Sequence, residues 1–161
     1  MIVSFDEISD DARIWIYQSD KSFSINQIKI IENRIKDFLN SWTSHGEELK
    51  VASKIKYCYF IIIALDQNIS LASGCSIDKM VHFIKNLENE FGARLLDRHD
   101  ISYKINNEIF VAKLKDFKDK ILKKKIDNTT IVFNNLINLK SDLVNNWEIP
   151  LSKSWHKQLI K

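Results

Sequence analysis

Tyr59-Phe60-Ile61-Ile62-Ile63-Ala64-Leu65 is the longest apolar run in the sequence and the best guide to its fold. Its side chains are apolar on both faces of an extended chain, which is typical of a central strand that is covered on both sides. The run is far shorter than the roughly 20 residues that a membrane-spanning helix requires. We therefore predict a buried central strand and no interaction with a membrane.

The elements around this run alternate between strands and helices. Strands are predicted where β-forming residues cluster, and helices where apolar residues recur at steps of three and four. In chain order they are a strand at Arg13–Gln18, a helix from Ser24 to Ser44-His45-Gly46, strands at Leu49–Lys56 and Tyr59–Leu65, a helix from Ser76 to Gly92, and a strand at Arg94–Asp97. This order predicts an α+β fold with a ferredoxin-like split βαββαβ core.

A C-terminal extension of strands and helices follows the predicted core. Its expected elements are strands at Ile101–Ile105 and Ile109–Ala112 joined by an Asn106-Asn107 turn, a lysine-rich helix at Leu114–Lys124, a strand at Thr129–Phe133 and a short helix at Leu136–Asn145. The sequence contains no repeat, low-complexity segment or linker. We predict a single domain over 1–161, with a loosely ordered N-terminal segment at 1–11.

The composition is that of an ordinary globular protein, with 45% hydrophobic and 28% charged residues. Two cysteines, Cys58 and Cys75, do not form a disulfide framework, and the first residues lack the pattern of a signal peptide. A cytoplasmic location is the simplest interpretation. Lysine supplies most of the basic residues behind the net charge of +3, which is consistent with solvated surfaces and A/T-rich codons.

Ser73-Gly74-Cys75-Ser76-Ile77-Asp78 is the best candidate for a binding site. A glycine turn at a helix start presents unpaired backbone N–H groups and the positive end of the helix dipole. We expect Ser73, Gly74, Cys75, Ser76 and Asp78 to form a ligand-binding turn for a small anionic ligand or a protein partner. The alternative interpretation is purely structural, with Ser76 as the cap and Cys75 as a packed residue.

A second hypothesis gives the chain an enzymatic activity, and the sequence leaves this question open. A thiolate is favoured at a helix N-terminus, so Cys75 is a candidate nucleophile. His82 or His156 is the candidate base, and Asp78 lies four residues before His82, where a carboxylate can orient an imidazole. The structural interpretation is favoured, with Asp78 as a capping residue at the helix start and His82 as a solvated surface group.

Other chemistries have little support. No CxxC, HxxxH or HExxH spacing is present, so we expect no metal site, and the separated glycines Gly46, Gly74 and Gly92 form no phosphate-binding loop. We therefore expect no cofactor. Seven lysines between Lys113 and Lys125 make nucleic-acid binding a further alternative, but Asp116 and Asp119 interrupt them, and the interpretation as a solvated face is favoured.

The C-terminal region contains two adjacent asparagines and two tryptophans. Asn134 and Asn135 follow a predicted strand, and their side chains can hydrogen-bond either a polar ligand or the backbone groups of a turn. Trp147 and Trp155 are expected to anchor the tail to the body of the protein. The anchoring role is the favoured interpretation for this region.

The chain resembles a known family in several of these stretches. They are Arg13–Gln18, Trp42-Thr43-Ser44-His45, Ser73–Asp78 with His82-Phe83-Ile84-Lys85, Val132-Phe133-Asn134-Asn135, and Ser154-Trp155-His156. The family comprises small Bacteroidota proteins of unknown function, some of which carry the automatic label "ABC transporter ATPase". The resemblance covers about residues 12–157 and implies a stand-alone bacterial cytoplasmic protein. It implies no catalytic role, and the absence of a phosphate-binding loop argues against the label.

Overall fold

The computed structural model describes residues 1–160 and has a mixed α+β fold, as predicted from the sequence. Within these residues the chain forms two compact units. The first contains Met1–Leu96 and Asn138–Ser141, and the second contains the other described residues. The single domain predicted over 1–161 stays a prediction.

The first unit is built on an antiparallel sheet with the apolar run at its centre. Its elements are β1 (Arg13–Gln18), α1 (Ile25–Ser41), β2 (Thr43–Ser44), β3 (Glu47–Glu48), β4 (Val51–Lys56), β5 (Phe60–Leu65) and α2 (Gly74–Phe91). β5 lies between β1 and β4, so that Ile63 is opposite Trp15 on one side and Ser53 on the other. Every residue of β5 is buried, which confirms the predicted central strand.

Both long helices pack on this sheet through apolar stripes. Ser24 begins α1 with a capping box that includes Gln27, and Ile31, Ile35 and Leu39 are its buried residues. In α2 the stripe is Met80, Ile84 and Leu87, and the helix ends at Gly92, whose φ of 60° is the left-handed conformation that glycine adopts readily. These stripes form one hydrophobic core with Ile61, Ile63 and Leu65.

The second unit is built on another antiparallel sheet. Its elements are β6 (Asp100–Ile105), β7 (Glu108–Lys113), α3 (Leu114–Leu122), β8 (Ile131–Phe133), α4 (Asp142–Asn145), β9 (Glu148–Pro150), and the 3-10 helices Leu151–Lys153 and Trp155–Leu159. The strand order is β7-β6-β8-β9. Asn106 and Asn107 have φ values of 52° and 63°, so the predicted turn is a two-residue hairpin of the type that suits strand twist. Phe117 of α3 is fully buried in the core of this unit.

The complete ferredoxin-like order is not confirmed. β6, the strand that follows α2, pairs with β7 and β8 instead of joining the first sheet. The predicted strand at Arg94–Asp97 is also wrong, because carboxylates take the backbone N–H groups there. Asp20 accepts from Arg94 N–H at 2.7 Å, and Glu88 accepts from the N–H groups of Leu95 and Leu96 at 2.8 and 3.1 Å.

The outer edge of β1 pairs with a segment that is distant in sequence. Ile14 N–H donates to Asn138 O at 2.9 Å, and Lys140 N–H donates to Ala12 O at 2.9 Å. The side chain of Lys140 is mostly buried, and its ammonium group donates to Ile8 O at 2.7 Å. Residues 138–141 therefore take the place beside β1 that a fourth strand would have occupied.

The N-terminal segment 1–11, predicted to be loosely ordered, makes specific backbone contacts. Val3 N–H donates to Val51 O at 2.9 Å, and Val51 N–H donates to Met1 O at 3.0 Å. Ile8 is only 1% exposed. The segment thus covers part of the free edge of β4.

Among residues 1–160, no helix is long and apolar enough to cross a membrane.

Candidate functional site

The first turn of α2 begins at Ser73, three residues earlier than predicted. Ser73 has extended backbone angles, and its hydroxyl accepts from Ser76 N–H at 3.1 Å. Ser76 is therefore not the cap but the third residue of the helix. Its buried hydroxyl donates to Ser73 O at 2.8 Å. These two serines satisfy each other, so their role in the turn is structural.

The backbone N–H groups of Gly74 and Cys75 remain available. The Ser73 hydroxyl accepts only from Ser76, and Ile77 N–H donates to Ser73 O, so within residues 1–160 neither Gly74 nor Cys75 N–H has an acceptor. Both residues are exposed. Two unpaired donors at the positive end of an 18-residue helix form a local environment that favours an anion.

Trp42 fixes the position of this turn against the rest of the first unit. Its indole N–H donates to Ser76 O at 2.7 Å in a buried contact. The ring lies between Trp15, at a centroid distance of 6.0 Å, and Phe38, at 5.6 Å. Sequence reasoning placed Trp42 at a helix end but missed this contact, because residues 34 positions apart give no local pattern.

Two apolar side chains lie exposed just before the turn. Ile69 is 60% exposed and Leu71 is 64% exposed, in the loop between β5 and α2. Exposed single aliphatic residues are common, but here two of them precede unpaired donors on the same stretch of chain. Neither residue belongs to a motif that predicts a site. The signal that could have found them is an apolar residue on each side of Ser70 in an otherwise polar loop.

The candidate catalytic residues on α2 do not form a hydrogen-bonded set among the described residues. Cys75 and His82 are both exposed, and they lie seven positions apart on the helix, about 10 Å along its axis. Asp78 and His82 lie on the same face, but no hydrogen bond or ion pair joins them within residues 1–160. In the same residues no group of three or more His, Cys, Asp or Glu side chains could hold a metal ion.

His156, the other candidate base, is buried in the second unit. It is 2% exposed, its Nδ1 lies 2.6 Å from Ser154 Oγ, and its ring stacks on Trp155 at 3.9 Å. Burial among these groups and Phe117 lowers the pKa of His156 to about 4, since desolvation disfavours the charged imidazolium. The imidazole is therefore neutral at pH 7.

Asn134 and Asn135 hold the buried Trp147 in the second unit. The Trp147 indole N–H donates to Asn135 Oδ1 at 2.9 Å, and Asn134 N–H donates to Trp147 O at 2.7 Å. Asn134 Oδ1 also accepts from Leu136 N–H at 3.2 Å, which closes an Asx turn. Both asparagine side chains thus make the structural contacts expected of an anchor.

A groove that the sequence did not reveal lies in the first unit. Its volume is about 260 Å³, and it runs between the N-terminal segment, α1 and β4. Phe5, Glu32, Lys36 and Lys54 are among its lining residues, and Lys54 Nζ lies 5.8 Å from the Phe5 ring centroid. Three separate segments contribute these side chains, so no local motif could have predicted the groove.

Comparisons of the chain with protein families, with curated proteins and with solved structures found no match.

Proposed function

We propose that this protein is a small binding or interaction domain whose contact surface is the first turn of α2. The observation that carries the proposal is the pair of unpaired, exposed N–H groups at Gly74 and Cys75. They suit a carboxylate or phosphate group, because oriented amide donors and the helix dipole both favour negative charge. The resemblance to small Bacteroidota proteins would make it a bacterial cytoplasmic protein, and the ferredoxin-like core belongs to the same proposal.

The exposed aliphatic residues beside the turn support a partner over a free inorganic ion. Ile69 and Leu71 offer exposed apolar surface five and three residues before Gly74, so a ligand with an acidic group and an apolar neighbour could use both features. Asp78 is exposed on the following turn and would repel a large anionic surface. We therefore favour a single acidic group over an extended polyanion such as nucleic acid.

Substitutions at Gly74 can remove its N–H donor without disrupting the helix. Gly74 is the first residue of α2, where proline is well tolerated, and the preceding Ser73 has φ of −82° and ψ of 163°, which a following proline permits. A Cβ at Gly74 would meet no atom within 4 Å. Gly74→Pro therefore removes one N–H donor and keeps the helix, while Gly74→Ala keeps the donor and serves as the matched control.

Native mass spectrometry of untagged protein, purified gently from its own host, tests the proposal with these variants. We expect the wild type and Gly74→Ala to retain an additional mass that Gly74→Pro loses. Equal retention by all three proteins would place the ligand elsewhere and contradict the proposal. If the wild type and both variants showed only the mass of the protein, the result would argue against a tightly bound ligand at the turn.

A further inference from the structure

β7 (Glu108–Lys113) forms one edge of the sheet in the second unit. It pairs with β6 on one side only, because the strand order is β7-β6-β8-β9. It has six residues and contains the apolar stretch Ile109-Phe110-Val111-Ala112. An open edge of this kind can pair with a further strand.

The hairpin register shows which backbone groups point away from β6. Leu114 N–H donates to His99 O at 2.8 Å, so these two residues form a hydrogen-bonded pair. Antiparallel pairs alternate, and the next hydrogen-bonded pairs in the register are Ala112 with Ile101, Phe110 with Tyr103, and Glu108 with Ile105. The last of these flanks the two-residue turn, where a hydrogen-bonded pair is expected.

Ile109 and Val111 therefore direct their N–H and C=O groups to the open side of the strand. Within residues 1–160 these outward groups have no hydrogen-bond partner. Their side chains share one face of the sheet, and Phe110 lies on the other face, stacked on Tyr103 at 5.6 Å and 38% exposed. An added strand would meet unpaired backbone groups and apolar side chains on both faces.

The positive charge near this edge determines which kind of strand would be attracted to it. Residues 113–125 begin on β7 and continue through α3, and they contain seven lysines and two aspartates. Lys113 is in ion pairs with Asp97 and Asp100, and Lys123 is in an ion pair with Asp119, so the other five lysines carry the excess positive charge. α3 packs on the sheet through Phe117, whose ring contacts Tyr103 at 5.7 Å. A second copy pairing edge to edge would bring two such lysine sets together, which costs energy, whereas an acidic strand would be attracted.

From these observations we infer that the open edge of β7 binds an extended acidic segment of a partner protein as an added strand. The backbone pairing supplies the affinity and the lysines supply the preference for acidic residues, as in other proteins that bind peptides by strand addition. This site lies in the second unit and does not depend on the function proposed for α2. Gly74→Pro is therefore expected to leave it unchanged.

Amide hydrogen exchange on the intact protein tests this inference residue by residue. The probe is a blocked hexapeptide of alternating glutamate and valine, and the charge control is its lysine–valine counterpart. In the free protein we expect fast exchange at Ile109 and Val111 and slow exchange at Phe110 and Ala112, whose N–H groups bond to β6. Adding the acidic probe is expected to slow exchange at Ile109 and Val111 at least tenfold.

A proline at position 111 gives a matched pair of variants. Val111→Pro removes an outward N–H that takes no part in the β6 pairing, so the hairpin is retained, while Val111→Thr keeps the donor and the β-branched shape. We expect Val111→Pro to weaken binding of the acidic peptide about tenfold or more, the effect of one lost hydrogen bond and a blocked strand position. Val111→Thr is expected to bind as the wild type does.

Three results would overturn the inference. The first is unchanged exchange at Ile109 and Val111 in millimolar acidic peptide, a readout that needs no variant. The second is equal protection by the lysine–valine peptide, which would remove the role of charge. The third is concentration-dependent protection without any peptide, together with a dimer in sedimentation, which would make a second copy the occupant.

Discussion

In the candidate site, the polar side chains of Ser73, Ser76 and Trp42 mostly make hydrogen bonds to backbone groups of the protein itself. Ser73 and Ser76 bond to each other, and Trp42 bonds to Ser76 O. The sequence identified the Ser73–Asp78 stretch but placed the cap at Ser76, because Ser73 and Ser76 are equally good capping residues. Trp42 contacts this turn across 34 residues of sequence, so its contribution leaves no local signal.

The buried His156 makes stability depend on pH. Its pKa is lowered to about 4 by desolvation, while the unfolded chain protonates near the ordinary value of 6.5. The unfolded state therefore binds more protons between these values, so the free energy of unfolding falls as pH drops from about 6.5 towards 4. The loss attributable to His156 is at most about 3 kcal/mol.

An NMR titration of the imidazole resonances checks this prediction directly. We expect the His156 signals to stay at their neutral positions down to about pH 5 and to move only when the pH approaches 4. Urea unfolding at several pH values gives the accompanying change in stability. A midpoint near 6.5 for His156 would show that the folded protein does not exclude the charged form, and would contradict the account.

At the level of elements, local patterns predicted the type of most helices and strands. β1, α1, β4 and β5 occur close to their predicted ranges, because each carries its own apolar period or β-forming run. The strand predicted at Arg94–Asp97 does not form, because backbone N–H groups of this segment donate to the carboxylates of Asp20 and Glu88. These partners lie outside the segment, so its local pattern does not reveal them. The end of α1 also differed, since Ser44 and His45 belong to the β2–β3 hairpin.

The side chain of Ser73, which caps α2, is expected to contribute to the stability of the protein. Ser73→Ala removes the acceptor for Ser76 N–H and is expected to lower the free energy of unfolding by about 1 kcal/mol. Ser73→Asp keeps an acceptor and adds a favourable charge at the helix start, so it is expected to restore the stability. Ser22→Ala, at an exposed position, is the control and should change the stability by less than about 0.5 kcal/mol.

Urea unfolding of the three variants measures these differences. Ser76→Asp provides the opposite case, since it would place a charge at a side chain that is 1% exposed and is expected to destabilise the protein more than Ser73→Ala. If Ser76→Asp were tolerated and Ser73→Asp were not, the assignment of Ser73 as the cap would be wrong.

On the scale of the whole molecule, the chain leaves the first unit after Leu96 and returns to it for residues 138–141. This return could not be predicted, because the partners of Asn138 and Lys140 lie more than 100 positions away. The element order alone suggested a complete ferredoxin-like core because a last strand was predicted at Arg94–Asp97, where the structure has none. The place beside β1 is filled by a short segment that carries no strand pattern of its own.

Lys140 tests the importance of this long-range contact. Lys140→Met keeps much of the side-chain length but removes the donor to Ile8 O and the ion pair with Asp10. The carbonyl would lose a charged donor in a mostly buried position, so we expect a loss of roughly 1–3 kcal/mol in the free energy of unfolding. Lys29→Met, on the exposed side of α1, is the matched control.

Unfolding curves for the two lysine variants, recorded under the same conditions, make the comparison. The expected order is Lys140→Met clearly below the wild type and Lys29→Met within about 0.5 kcal/mol of it. Equal stability of the two variants would mean that residues 138–141 hold the N-terminal segment without help from the ammonium group.

The most direct test of the central claim is a titration of the isotopically labelled protein with N-acetyl-leucine, which carries one carboxylate beside an apolar side chain, followed through the backbone amide signals of the protein. Chloride at equal ionic strength corrects for salt effects. We predict saturable shifts at the Gly74 and Cys75 amides in the wild type, the same shift at Cys75 in Gly74→Ala, and a much weaker one in Gly74→Pro. Absence of a saturable shift at either amide, or an undiminished response of Cys75 in Gly74→Pro, would contradict a binding site at the first turn of α2.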